Sequence, residues 1–150
     1  YGPLVFSSAT SQYTAFLNGN AGTLSAFSFI RSPLVIQRGD SPSAEREELV
    51  VISSPFFPHK LAKGYSNPAA GVVDTLNGVK IRSLRHLVAV LRDLKDEFVV
   101  VQTENRGGEA MVFPHKEMLA ATEDILTDNG VRAQGSADLL EVWRQATARP

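Results

Sequence analysis

Histidine, serine and acidic side chains are the groups in this chain that could carry out chemistry. The sequence has three histidines, His59, His86 and His115, together with sixteen Asp and Glu residues and many serines. A serine nucleophile needs a histidine base and a carboxylate within hydrogen-bonding reach, and one common setting for it is a Gly-x-Ser-x-Gly turn. No such pattern occurs in the sequence. We therefore predict no catalytic residues in this segment.

Metal and cofactor sites are the second chemical possibility. His59 and His115 each follow a proline at the start of a predicted helical segment, without a carboxylate or histidine at ligand spacing. A metal pair or a pH-responsive contact is the functional alternative, but partly exposed positions in a first helical turn are favoured. The absence of cysteine excludes disulfides, thiolate catalysis and cysteine zinc sites, and Gly107-Gly108 is too short to cradle phosphate. The prediction is no metal and no cofactor.

Composition limits the classes of partner. Fifteen Lys and Arg residues against sixteen Asp and Glu residues give a net charge of -1, and neither sign forms a long run. Nucleic acid and anionic lipid surfaces are therefore not expected partners. No apolar stretch approaches the roughly 20 residues that span a bilayer, so no membrane segment is predicted. Because the sequence opens at Tyr1 without Met, we interpret it as a piece of a longer polypeptide, and its compartment stays unknown.

The first third of the chain predicts a strand followed by a variable insert. An apolar run at residues 4–6 indicates a strand, and residues 7–17 indicate a short helix. Residues 23–36 are apolar, but their periodicity leaves helix and strand both open. Residues 38–48 have the composition of an exposed connection, and the β-branched run at 49–52 predicts a strand buried on both faces.

The remaining chain has clearer turn and cap signals. Asn77-Gly78 predicts a type I′ hairpin turn between strands at 71–76 and 79–81. Ser83 is a suitable N-cap for a helix with an apolar stripe. A second hairpin is predicted at 97–113, followed by a helix that ends at Asn129-Gly130 and a last helix that begins at Ser136. Trp143 in that last helix fits a docking stripe and a core position equally well.

The predicted element order is mixed α+β with an antiparallel sheet. From residue 49 onward it resembles a PDZ domain of the bacterial Deg arrangement, with Asn77-Gly78 followed by a Ser-Leu-x-x-Leu helix at residues 83–87. More specific similarity, to the second, C-terminal PDZ domain of plant-type Deg/HtrA proteases and their bacterial relatives, lies in Lys63-Gly64-Tyr65 and in residues 120–126 and 136–140. The opening residues 2–6 also resemble the start of that domain.

This resemblance implies a single PDZ-like domain over residues 1–150. Residues 1–47 would hold the first strand and insert, 48–113 the sheet and groove helix, and 114–150 a C-terminal helical extension. The core is expected to contain six apolar residues: Val50, Ile52, Val73, Leu87, Leu91 and Val100. The implied function is a non-catalytic protein-interaction and assembly domain of a serine endopeptidase, with homo-oligomerisation of the full-length parent. A bacterial cell envelope is the compartment that the resemblance suggests.

A peptide-binding domain for substrate or regulator C-termini is the alternative. PDZ grooves extend their sheet with the peptide strand and capture its carboxylate on free N–H groups. The implied groove residues are Leu4, Val5, Phe6, Arg85, His86 and Ala89. Val5 stands where a glycine is usual, and Pro3 has no N–H to donate. We therefore expect a narrow or filled groove, covered by Arg85, His86 and Ala89 or by the insert, and weak binding of free C-terminal peptides.

Overall fold

The computed structural model describes residues 1–105, 108 and 110–145. Its strands are β1 (Phe6–Ser8), β2 (Val50–Ile52), β3 (Val73–Leu76), β4 (Val79–Lys80), β5 (Phe98–Thr103) and β6 (Ala110–Pro114). Its helices are α1 (Ser11–Thr14), α2 (Ala21–Phe29), α3 (Pro33–Ile36), α4 (Leu84–Asp93), α5 (His115–Asp128) and α6 (Ala137–Arg144). Short 3-10 helices lie at Ala15–Asn18 and Lys60–Ala62. Within this part of the chain, no helix is long and apolar enough to cross a bilayer.

The strands form two antiparallel sheets that meet at one corner. The larger sheet has the order β4-β3-β5-β6, and the smaller one pairs β1 with β2. A bridge between Val51 and Val72 and a hydrogen bond from Ile52 N–H to Gly71 O (2.9 Å) join them. The predicted α+β class with antiparallel sheets is therefore confirmed.

The hairpin between β3 and β4 has the turn that the sequence predicts. Asn77 and Gly78 both have positive φ, 48° and 78°, as a type I′ turn requires. The Asn77 side chain also accepts from Val100 N–H (2.8 Å) and donates to Phe98 O (2.8 Å), which attaches the turn to β5. The second predicted turn, at residues 105–108, includes residues outside the described ones.

The main core lies between the sheets and helices α4 and α5. Its fully buried members come from all these elements: Leu4, Val50, Ile52, Val73, Leu76, Ile81, Leu87, Leu91, Val99, Val101, Met111, Phe113 and Met118. Five of the six expected core residues are among them. The sixth, Val100, is only partly buried, because side chains alternate along a strand and β5 turns Val99 and Val101 inward instead.

The insert is helical and has a small core of its own. Residues 23–36, which the sequence left open, lie largely in α2 and α3, and the first strand begins at Phe6 rather than at Leu4. Leu17 and Leu34 of the insert pack with Val51 and Val72 on the outer side of the sheet corner. Strand β2 is therefore buried on both faces, as predicted, with Val50 and Ile52 in the main core.

Helix α5 ends in a tight turn, after which the C-terminal extension runs back to α4. Gly130 (φ 63°) donates to Thr127 O (3.2 Å) and Val131 N–H donates to Leu126 O (2.9 Å), which together form a Schellman motif. Helix α6 then packs on α4. Its Trp143 is partly buried, packs against the main core and contacts the Tyr1 ring at a centroid distance of 5.9 Å.

The first prediction tests this core at Leu87, which is 1% exposed on α4. Leu87→Ala removes buried apolar surface and leaves a cavity, so unfolding should require about 2–5 kcal/mol less free energy. Val79→Ala, at a position 43% exposed, is the matched control and should change little. Urea denaturation measures both, and an unchanged midpoint for Leu87→Ala would contradict the core assignment.

Candidate peptide groove

A largely apolar groove lies between β1 and α4. Its cavity volume is about 700 Å³. One side is formed by residues 4–8, the other by α4, and the far wall by the end of α5 and by residues 131–143. A groove between a strand and a helix is where a PDZ-type sheet can accept an additional strand.

Helix α4 forms one side of the groove with its apolar stripe. Leu84, Leu87, Val88 and Leu91, spaced one helical turn apart, line the cavity. The start of this helix is fixed at two points. Ser83 Oγ accepts from His86 N–H (3.3 Å), and a Glu48 carboxylate oxygen accepts from Leu84 N–H (2.7 Å). A carboxylate at this position also complements the helix dipole.

The three α4 residues that the resemblance implied as groove residues are not among those that line the cavity. Arg85 is exposed and its guanidinium lies 3.6 Å from the Asp138 carboxylate of α6. His86 and Ala89 are partly buried, and His86 Nδ1 accepts from Arg82 N–H (3.2 Å). Burial lowers the pKa of His86, Arg82 lowers it further, and Glu47 opposes the shift. Leu4, Val5 and Phe6 do line the cavity, and a peptide contact for any of the six stays a prediction.

Strand β1 offers backbone groups to the groove. Val5 O accepts from Ser53 N–H and Ala9 N–H donates to Leu49 O, both at 2.8 Å. The backbone N–H and C=O groups of the odd-numbered residues therefore point toward β2. In an antiparallel ladder the backbone groups of the intervening residues, Phe6 and Ser8, then point away from β2, toward the groove. Ser8 O already accepts from Thr10 N–H (2.9 Å). Phe6 is therefore the β1 residue best placed to pair with an added strand.

The opposite edge of the larger sheet is closed. The Tyr65 hydroxyl donates to Val112 O (2.7 Å) and accepts from Val112 N–H (3.0 Å), which occupies both outward groups of this β6 residue. Pro114, at the end of β6, has no N–H. Edge strands that are blocked in this way resist pairing with other chains. Strand β6 is thus protected from strand addition at Val112 and Pro114.

The loop before β1 uses its own N–H groups within the fold. Gly2 N–H donates to the hydroxyl of Thr122 on α5 (2.7 Å), and Leu4 N–H donates to Tyr1 O (3.2 Å). Pro3 lies between them and has no N–H. Gly2 has φ 54°, and a Cβ there would overlap the Met118 sulfur. The loop is therefore held tightly against α5, with two of its N–H groups already bonded.

The C-terminal extension, more than the insert, forms the far wall of the groove, and the remaining cavity of about 700 Å³ means that the groove is not filled as the sequence led us to expect. Val131 and residues 133–136 line its far side together with Leu139, Leu140 and Trp143, whereas the insert helices contribute Tyr13. The reason is that the insert's own apolar residues pack against Val51 and Val72, on the other face of β2. The sequence signal that was missed is Thr122, a polar residue on the same helical face as Met118 and Ile125.

The other two histidines have structural contacts. His59 accepts from Leu61 N–H (3.2 Å) as the N-cap of a 3-10 helix. His115 lies 3.0 Å from both Asp96 O and the Tyr1 hydroxyl. Within residues 1–105, 108 and 110–145 no group of three metal-ligating side chains comes together.

Residues 1–138 match the family described as PDZ domain. The chain belongs to the PDZ domain family. The resemblance to a PDZ domain found in the sequence is thereby confirmed, while peptide binding in the groove between β1 and α4 stays a prediction.

Two curated relatives are proteases by name. Protease Do-like 2, chloroplastic, of Arabidopsis thaliana is 31% identical over 98 residues, which cover 65% of this chain and 16% of that protein. Putative protease Do-like 12, mitochondrial, of the same plant is 28% identical over 92 residues, which cover 61% of this chain and 18% of that protein. This PDZ domain is thus related to Do-like proteases and spans less than a fifth of the length of the curated relatives it matches.

The second prediction concerns the anchor of the loop. Thr122→Val keeps the shape of the side chain but leaves Gly2 N–H buried without a partner, which should lower the free energy of unfolding by about 1–3 kcal/mol. Thr122→Ser keeps the hydroxyl and is the control; it should be clearly less destabilised. Urea denaturation compares the two variants, and equal stability would show that the hydrogen bond does not hold the loop.

Proposed function

We propose that this PDZ domain is a non-catalytic assembly and regulatory domain of a Deg/HtrA-like serine endopeptidase. Its partners are proteins, either neighbouring subunits or the protease domain of the same chain. The catalytic centre belongs to another part of that parent protein. The relatives' names support a protease parent, and their much greater length leaves room for a catalytic domain.

The observation that carries this proposal is that the loop before β1, where a PDZ domain would bind a peptide carboxylate, has few free N–H groups. Moving a peptide carboxylate out of water requires several N–H donors. Here Gly2 and Leu4 donate within the fold and Pro3 cannot donate. A free C-terminus would meet too few donors, at a cost of about 1–3 kcal/mol for each unsatisfied group.

The C-terminal extension that walls the groove points in the same direction. It is attached to α4 by the hydrogen bond from Arg92 Nη1 to Val142 O (2.7 Å) and by the Arg85–Asp138 ion pair. Since the ion pair is exposed, it contributes little, and the burial of Val142 together with the partial burial of Trp143 holds the extension in place.

A second candidate function is recognition of substrate or regulator C-termini for the parent protease. The specific observation that favours it is the open edge of β1 at Phe6, next to an apolar cavity large enough for side chains. The two candidates differ in one property, the affinity for a peptide with a free carboxylate.

The third prediction separates the assembly function from catalysis. The 150-residue chain alone should not cleave unfolded casein, whereas the full-length parent should. A parent that lacks this domain should keep its hydrolysis of short chromogenic peptides but lose its native oligomeric mass in light scattering. Casein cleavage by the isolated chain would overturn the division of roles, and a truncated parent with unchanged mass would overturn the assembly function.

A further inference from the structure

The backbone of Arg82, just before α4, makes three hydrogen bonds. Its carbonyl oxygen accepts from Glu47 N–H (2.9 Å) and from Glu48 N–H (3.1 Å). Its N–H donates to Nδ1 of His86, which lies in the first turn of the helix (3.2 Å). Arg82 therefore connects residues 47–48 to the start of α4.

The imidazole of His86 can make this contact only in its neutral form. A backbone N–H always donates, so Nδ1 must hold a lone pair and the ring proton must be on Nε2. In a protonated imidazole both ring nitrogens are donors, and the Nδ1 proton would then face the Arg82 N–H. Protonation of His86 therefore breaks this hydrogen bond.

The surroundings of the ring favour its neutral form. Burial lowers the pKa of His86, the positive charge of Arg82 lowers it further, and Glu47 opposes the shift. On the side of α6, Arg85 and Asp138 pair with each other (3.6 Å). The pKa of His86 is thus below the ordinary histidine value of about 6.5, and the ring is neutral above that pH.

The first turn of α4 also belongs to the groove. Leu84 and Leu87 line the cavity between β1 and α4. The Glu48 carboxylate, which lies beside this turn, accepts from Leu84 N–H (2.7 Å), while the N–H of Glu48 bonds to Arg82 O. The same few bonds therefore hold both the backbone before α4 and a residue of the groove wall. Loss of the His86 contact loosens this connection at Arg82.

We propose that His86 is a pH-sensitive attachment of the groove helix, which holds the start of α4 when the imidazole is neutral and releases it on protonation. The switch acts within this chain, so it does not depend on the proposed assembly function. Because the folded protein holds the neutral ring, the unfolded chain binds this proton more readily. The stabilisation is fully present above about pH 6.5 and is lost as the pH falls through the lower pKa of the folded state.

NMR of the 15N-labelled chain between about pH 7.5 and pH 5 tests the switch directly. The ring signals of His86 should show an unprotonated Nδ1 at neutral pH and a pKa below 6.5. The protection of Arg82 N–H against solvent exchange, corrected for the intrinsic pH dependence, should fall about fivefold as His86 becomes protonated. A proton on Nδ1 at neutral pH, or unchanged protection of Arg82 N–H, would overturn the proposal.

Two variants assign the effect to His86. In His86→Asn the amide oxygen takes the place of Nδ1 and accepts at every pH, so the protection of Arg82 N–H should no longer depend on the pH. His59→Asn is the matched control, because His59 Nδ1 also accepts from a backbone N–H, that of Leu61 (3.2 Å), in another part of the chain. It should keep the response of the original chain. The same response in His86→Asn would assign the change to another titrating group and contradict the switch.

Discussion

The hydrogen bond from Gly2 N–H to the Thr122 hydroxyl joins residues 120 positions apart and anchors the loop before β1 to α5. It places the loop at residues 1–4 against α5, which determines where β1 begins. The Thr122 hydroxyl also donates to Met118 O (2.8 Å), so one buried side chain satisfies the loop while it stays bonded within its helix. The Schellman turn at the end of α5 leads the chain to the far wall of the groove, which Val131 and residues 133–136 line.

Strand β2 imposes the second constraint. A three-residue strand with both faces buried separates the main core from the small core of the insert. The insert therefore stabilises the outside of the sheet corner and leaves the groove to the C-terminal extension. Arg46 strengthens this attachment, because its guanidinium pairs with Glu104 after β5 and bonds to Gln37 after α3 (2.6 Å). The insert is thus held on the far side of β2, and α2 remains directed to solvent.

The features that could be predicted from the sequence are those set by local chemistry. Asn77 and Gly78 form the hairpin turn because both residue types tolerate positive φ. Ser83 caps α4, and Asn129-Gly130 ends α5. The features that could not be predicted depend on contacts between distant segments. Whether Val99 or Val100 points inward depends on how β5 pairs with β3, and periodicity alone does not decide it. Which segment forms the far wall of the groove depends on where α5 lies. The sequence contains one indication of that position, the polar Thr122 among apolar neighbours.

In the proposed function, the loop before β1 does not accept a free peptide carboxylate. Calorimetry with hydrophobic-ended peptides and with their C-terminally amidated versions measures this property directly. The account predicts that both kinds of peptide bind weakly, with Kd above about 100 µM, and that amidation makes no difference, since no carboxylate contact is formed. Micromolar binding by the free peptide that disappears on amidation would show a working carboxylate loop and contradict the account.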